Sequence, residues 1–116
     1  MNLKRALVSL VATAMLTASF SASATSYAGY PRNWWVEENA DITWYLLNQD
    51  NSVWVNGLCG SPVYRLKVTN ANYDAVYDSL KMAARNGYRV QMEVVACDSN
   101  VNVIKMVKIC TWIGDC

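Results

Sequence analysis

The sequence predicts a mainly β domain in which a single helix lies between the third and the fourth of five strands. Runs of bulky and β-branched residues recur along residues 42–109, whereas a helical period occurs along residues 73–84. Clusters of Gly, Pro, Asn, Asp and Ser separate these segments and predict turns between them. The fold class therefore follows from the order of the segments.

Residues 1–24 have the pattern of a secretion signal. Lys4 and Arg5 form a charged start, residues 6–16 form an apolar run, and Ala22-Ser23-Ala24 is a small-residue cleavage pattern. The apolar run is shorter than the roughly 20 residues that span a bilayer, so cleavage after residue 24 is favoured over a membrane anchor. We expect a secreted or periplasmic protein with no membrane span after removal of the signal.

The mature chain begins with residues 25–41, where aromatic residues occur without alternation and predict an extended N-terminal arm before a domain at 42–116. Two β-rich runs, ITWYLL and VWVNGL, lie on either side of a polar turn and predict a hairpin of strands one and two. The segment VYRLKVT then alternates, which predicts a third strand with Tyr64, Leu66 and Val68 on one face.

The period then changes to that of a helix, with Asn70 and Asn72 as candidate caps and an end at Asn86-Gly87. Glycine can adopt the left-handed conformation that commonly ends a helix. The apolar positions of this helix are Tyr73, Val76, Tyr77, Leu80, Ala83 and Ala84. The segments YRVQMEVV and VNVIKMVKI alternate after it and predict strands four and five.

Five strands with a helix between the third and the fourth is the element order of an OB-fold, a small and partly open barrel closed at one end by that helix. The residues expected to line such a barrel are Leu66, Val68, Val90, Met92 and Val94, with Val76, Leu80 and Ala83 at its base. The same elements also allow an α+β arrangement, an open antiparallel sheet with one helix packed across it.

Four cysteines follow the predicted signal, and an even number in a small exported domain predicts two disulfides. They are Cys59, Cys97, Cys110 and Cys116. Three pairings satisfy this count. The pairing of Cys59 with Cys97 and of Cys110 with Cys116 is favoured, because Gly114 and Asp115 can turn the segment CTWIGDC back on itself.

Composition argues against several functional classes. Of ten basic residues, Lys4 and Arg5 belong to the signal, so eight remain against nine acidic residues, and we expect no nucleic-acid partner. The chain has no His and no CxxC, which argues against a zinc site and against a cysteine nucleophile with an imidazole base. Glu37 and Glu38 are neighbours on an extended segment and point apart, unlike the paired carboxylates of a glycosidase. We expect no enzyme activity, no cofactor and no metal.

The segment NWWVEENAD carries the candidate ligand-binding residues. Sugar recognition uses an aromatic face for the apolar side of the ring and planar polar groups for its hydroxyls. Trp34 and Trp35 are candidate platforms, with Glu37, Asn39 and Asp41 as candidate hydroxyl partners. The alternative is that these tryptophans cover the barrel or a subunit interface. Trp44 and Trp54, in the predicted hairpin, are expected to pack against the barrel or a neighbouring chain rather than to bind a ligand.

Several segments together carry a resemblance to a known family. They are LCGSPVYRLKV, the helix and strand NANYDAVYDSLKMAARNGYRVQMEV, the turn ACDSN and the closing pair CTWIGDC. From Ile42 to Cys116 the chain resembles the B subunits of subtilase-cytotoxin and pertussis-like bacterial toxins, and related short exported bacterial proteins. The resemblance implies an OB-fold that forms a homopentamer with a catalytic A subunit and binds sialylated or other cell-surface glycans. The resemblance does not identify any individual residue of this chain as a glycan ligand.

Two functions follow from the sequence. The first is a secreted, non-catalytic binding subunit for glycans, similar to the B subunit of an AB5-type toxin. The second is a small periplasmic protein that binds or inhibits a protein partner through its aromatic arm. The two differ in mass and in partner, since a ring has several times the mass of a monomer.

Overall fold

The computed structural model describes residues 25–48, 50, 52–111 and 116; the predicted signal lies outside them. These residues form β1 (Thr25–Val36), β2 (Ile42–Leu47), β3 (Val63–Leu66), α1 (Tyr73–Asn86), β4 (Arg89–Asp98) and β5 (Val101–Cys110). The strands close into a barrel in the order β1-β2-β3-β5-β4, in which only β3 and β5 pair in parallel. The predicted mainly β fold with one helix is confirmed, and the closed ring excludes the open-sheet alternative.

The first strand is the segment that the sequence predicted as an arm outside the barrel. Residues 25–29 pair with β4, and the chain then changes neighbour and pairs with β2 up to Val36. Gly29 lies at this change, where an added Cβ would collide with the Leu47 carbonyl oxygen. Asn33 has a φ of 56° within a register shift between Arg32 and Trp35. This irregularity explains the absence of a single alternation along β1.

The predicted second strand, residues 53–58, differs from the prediction because it forms a single bridge between Leu47 and Trp54. Leu46 of β2 accepts a hydrogen bond from the Val55 N–H at 2.8 Å and donates to the Pro62 carbonyl at 3.1 Å. Residues 53–62 are therefore an irregular connection that hydrogen-bonds to the last residues of β2. The strand count agrees with the prediction because β1 takes the place of this segment.

The core fills the barrel and continues onto one face of α1. Its fully packed members are Ile42, Trp44, Leu46, Tyr64, Leu66, Val76, Leu80, Ala83, Val90, Met92, Val94 and Ile104. The prediction was wrong for Val68, which is 40% exposed because β3 ends at Leu66. The end of α1 is as predicted, since Gly87 adopts a left-handed φ of 72° and donates its N–H to the Ala83 carbonyl. At the other end, Asn72 makes no side-chain cap and Asn70 instead accepts the Asn72 N–H at 2.8 Å.

Two disulfides and one buried amide connect the ends of the strands. Cys59 is joined to Cys97 and Cys110 to Cys116, which is the favoured pairing. Asn102 of β5 is fully buried, and its amide makes three hydrogen bonds of 2.8 Å to the backbone of the 59–63 connection. These contacts hold an irregular segment against the barrel. Within residues 25–48, 50, 52–111 and 116, no helix has the length and apolar character needed to cross a membrane.

Candidate functional site

The β1–β2 connection, residues 37–41, positions the candidate site. The Glu37 N–H donates to the Asp41 carbonyl at 2.7 Å, and the Ala40 N–H donates to the Glu37 carbonyl at 2.9 Å. Ala40 has a φ of 74°, which closes the turn. The Tyr73 hydroxyl of α1 donates to the Ala40 carbonyl at 2.6 Å. The turn is therefore fixed both internally and against the helix, so its side chains have defined positions.

Two hollows are lined by residues of this connection and of the strands that flank it. The first, here the polar pocket, has a volume of about 360 Å³ and is lined by Glu37, Glu38, Asn39, Asp41, Arg65, Lys67 and Asp98. The second, here the aromatic groove, has a volume of about 260 Å³ and is lined by Trp34, Trp35, Val36, Ile42, Tyr77, Lys81, Ala84 and Arg85. The five predicted site residues are thus divided, with the two tryptophans in the groove and the three polar residues in the pocket.

Trp35 connects the two hollows. The residue is 39% exposed and lines the aromatic groove. Its indole Nε1 donates to Glu37 Oε1 at 2.7 Å, so the edge of the ring is tied to the wall of the polar pocket. The Trp35 ring also packs against Tyr45, and the two ring centroids lie 5.9 Å apart. An exposed aromatic ring with a fixed orientation is therefore present beside the predicted hydroxyl partners.

Trp34 has a different role, as the packing alternative anticipated. It is partly buried against the core, with its ring centroid 5.0 Å from that of the fully buried Trp44. Trp54, which was expected to pack, is 43% exposed and lies 5.2 Å from Tyr45 between ring centroids. Trp35, Tyr45 and Trp54 thus form a continuous outer row of aromatic rings.

Arg65 of β3 organises the carboxylates on one side of the polar pocket. Its guanidinium donates to Asp98 Oδ2 at 2.8 Å and to Glu37 Oε1 at 3.3 Å. Its Nε also donates to the Thr43 hydroxyl at 3.1 Å, and that hydroxyl donates to Glu37 Oε1 at 3.0 Å. A single carboxylate oxygen therefore receives three donors when the indole of Trp35 is included.

Asp41 and Lys67 form the other side of the polar pocket. Asp41 is 3% exposed, and its Oδ1 accepts the Val68 N–H at 2.8 Å while its Oδ2 accepts from the Asn39 amide at 3.2 Å. Lys67 Nζ lies 3.6 Å from the same Oδ2 and donates to Asp98 Oδ2 at 3.0 Å. The five charged residues thus form one network that joins the turn to β3 and to the end of β4.

This network keeps the carboxylates ionised. The hydrogen bond from Trp35, followed by that from Thr43, lowers the pKa of Glu37. Burial tends to raise the pKa of Asp41, but hydrogen bonds from Val68 and Asn39 bring it below its ordinary value. Hydrogen bonds from Lys67 and Arg65 lower the pKa of Asp98, and the pKa of Lys67 is raised in return, chiefly by Asp98. At neutral pH the pocket therefore offers charged hydrogen-bond acceptors rather than an acidic proton.

Four members of the pocket were absent from the predicted site: Glu38, which adjoins the predicted Glu37, and the three charged residues from distant parts of the chain, Arg65, Lys67 and Asp98. Arg65 and Lys67 alternate with the buried residues of β3, which indicated an outward face without indicating what lies across it. Asp98 resembled an ordinary turn residue in the cluster CDSN. Only the pairing of the strands brings these charges to the 37–41 turn. In the described part of the chain, no group of Asp, Glu or Cys has an arrangement that could hold a metal ion.

Comparison with known proteins gave no family assignment, since neither a protein-family model nor a curated protein matches the chain.

Proposed function

We propose that this protein is a secreted, non-catalytic subunit that binds carbohydrate, with Trp35 and the polar pocket as its sugar site. The observation that carries the proposal is the 2.7 Å hydrogen bond from Trp35 Nε1 to Glu37 Oε1. It holds an exposed aromatic ring at the margin of a pocket lined by planar polar groups. This is the combination that a sugar ring requires, with one apolar face to stack and hydroxyls to hydrogen-bond.

The charges of the pocket favour neutral sugars over acidic ones. Its lining has four carboxylates, from Glu37, Glu38, Asp41 and Asp98, against the two cations of Arg65 and Lys67. Both cations are already bound to carboxylates of the protein. A neutral sugar hydroxyl can donate to the carboxylate oxygens, whereas a sialic acid carboxylate would meet a net negative surface. Among the glycans that the resemblance implies, we therefore favour the neutral ones.

Catalysis is not part of the proposal. Hydrolysis of a glycosidic bond needs one carboxylic acid that is protonated near neutral pH, opposite a second carboxylate. The lowered pKa values of Glu37, Asp41 and Asp98 are the reverse of that requirement. By resemblance, the proposed assembly is a five-membered ring that delivers a separate A subunit.

The second candidate function is binding of a protein partner. The observation that favours it is the outer row of Trp35, Tyr45 and Trp54, in which two of three rings are well exposed. Tyr and Trp are enriched where proteins meet, so this row also suits a protein interface. The two functions differ in which tryptophan matters, because Trp35 donates to Glu37 in the wall of the polar pocket, whereas Trp54 packs on Tyr45.

A glycan array on the oxidised mature protein, followed by titration of the best neutral glycan, tests the proposal. We expect Trp35→Ala to weaken glycan binding by at least about tenfold, the loss expected for one stacked aromatic ring. Trp54→Ala is the matched control, since it removes an indole of similar exposure outside the pocket, and we expect little change. An array without any bound glycan, with a monomeric mass by light scattering, would favour the protein-partner function instead.

A further inference from the structure

We propose that the aromatic groove is a second ligand site, which binds a small free organic anion with a flat apolar body. This proposal concerns the α1 side of the β1–β2 connection and does not depend on sugar binding in the polar pocket. It rests on the lining of the groove, on its volume and on the charges at its rim.

The walls of the groove suit an aromatic or similarly flat body. Trp34 and Trp35 contribute from β1, and Tyr77 contributes from α1, so aromatic rings belong to both elements that border the groove. Val36 and Ile42 complete the apolar lining. Offset and edge-to-face contacts between rings add to the free energy gained from burying apolar area.

The volume limits the size of the ligand. A cavity of about 150 Å³ is sufficient to bind benzene, and drug-sized ligands occupy pockets of about 300–1,000 Å³. The aromatic groove, at about 260 Å³, lies between these sizes. A body of one or two fused rings therefore matches it, whereas a long lipid chain or an extended sugar chain does not.

The charges specify an anion. Lys81 and Arg85, one turn apart on α1, both line the groove, and none of the described residues that line it is acidic. The Lys81 ammonium already has two contacts on the helix, since its Nζ lies 3.3 Å from Asp78 Oδ1 and 4.4 Å from the centre of the Tyr77 ring. The Arg85 side chain has neither a hydrogen bond nor an ion pair with any described residue. Its guanidinium can thus form a paired hydrogen bond with a carboxylate or sulfonate whose rings lie in the groove.

The test is an NMR titration of the ¹⁵N-labelled, disulfide-bonded protein with 2-naphthoate and with its uncharged analogue 2-naphthalenemethanol. We expect 2-naphthoate to shift the indole N–H signal of Trp35 and the backbone amide signal of Arg85. Because a hydrogen bond to a charged group is lost, Arg85→Gln should weaken naphthoate binding about tenfold and leave binding of the alcohol unchanged. Ala84→Leu, which fills the groove, should weaken binding of both probes.

Lys105→Gln is the matched control, since it removes one exposed cation of β5 that does not line the groove. We expect it to leave naphthoate binding unchanged. Equal losses for Arg85→Gln and Lys105→Gln would overturn the proposal, because net charge alone would then account for binding. Equal affinity for the acid and the alcohol in the unmodified protein, or no shift with either probe, would also overturn it.

Discussion

The buried Asn102 amide accepts the Cys59 backbone N–H at 2.8 Å, so β5 holds in place the residue that forms one half of the long disulfide. The same side chain donates to the carbonyls of Ser61 and Val63, so all three of its hydrogen bonds reach this connection. An irregular segment can therefore cover the barrel without leaving its backbone groups unpaired. Gly57 is required beside it, because an added Cβ there would collide with the Asn102 amide.

Replacing this amide should be costly. Asn102→Asp would turn the group that donates to Ser61 and Val63 into an acceptor and would place a charge where the side chain has no exposure to solvent. We expect the free energy of unfolding to fall by at least about 3 kcal/mol. Chemical denaturation at pH 7 with both disulfides intact measures the loss. Asn56→Asp makes the same change at an exposed position, where we expect less than about 0.5 kcal/mol; similar losses at the two sites would contradict the assigned role.

The disulfide between Cys59 and Cys97 should make a large contribution to stability. It closes a loop with a sequence separation of 38 residues, whereas the separation between Cys110 and Cys116 is 6. On the chain-entropy model, replacing both Cys59 and Cys97 by Ala lowers the free energy of unfolding by about 4 kcal/mol. The same change at Cys110 and Cys116 lowers it by about 2 kcal/mol. Thermal or denaturant unfolding of the two double variants compares them. A larger loss for the short loop would contradict this explanation.

Substitution of the two adjacent tryptophans of β1 should lower stability by different amounts, because only Trp34 packs on the core. Trp34→Ala removes a ring that packs on Trp44 and the core, so we expect a loss of about 3 kcal/mol in the free energy of unfolding. Trp35→Ala removes a more exposed ring, so we expect a loss of about 1 kcal/mol. Denaturant titration of each variant measures both values. Equal losses would mean that Trp35 is as much a packing residue as Trp34.

Much of this fold could be predicted because most elements carry a regular period. The helix and β4 each place their apolar residues on one face, and Val76, Leu80, Val90 and Met92 are buried as expected. The first strand could not be predicted in this way. Its register shifts between Arg32 and Trp35, where Asn33 has a φ of 56°, so no single face stays buried along its length. A pattern of period two predicts a strand only while the same alternate residues face the core, and a bulge interrupts that alternation.

The candidate site was predictable only in part, for a related reason. The segment NWWVEENAD contained the correct residue types, and the turn indeed brings Glu37, Asn39 and Asp41 into one pocket. No pattern in the sequence indicates that Trp34 turns to the core while Trp35 stays at the surface, because the irregularity at Asn33 sets the faces of both rings. Arg65 and Lys67 reach the pocket through the β2–β3 pairing, a contact between distant parts of the chain.

The charge network of the polar pocket should make stability depend on pH. The folded pKa values of Glu37, Asp41 and Asp98 lie below their ordinary values, near 4.5 for Glu and 3.8 for Asp. Their stabilising effect is therefore fully present above about pH 4.5 and is lost as the pH falls through the lowered values. For Lys67 the pKa is raised above 10.5, so its effect is present below pH 10.5 and is lost as the pH rises through the raised value.

We expect the melting temperature of the unmodified protein to be constant between pH 5 and 7 and to fall as the pH is lowered from about 4.5 to 2. In Lys67→Met this acid-induced fall should be smaller, because Asp98 loses the hydrogen bond that lowers its pKa most and Asp41 loses a nearby cation. Lys105→Met is the control, since that side chain lies outside the pocket and its loss should leave the acid profile unchanged. The measurement is a series of thermal melts at constant ionic strength. If Lys67→Met kept the full fall in melting temperature, the ion pairs of this pocket would not be the source of the acid sensitivity, and protonation of carboxylates elsewhere in the chain would have to account for it.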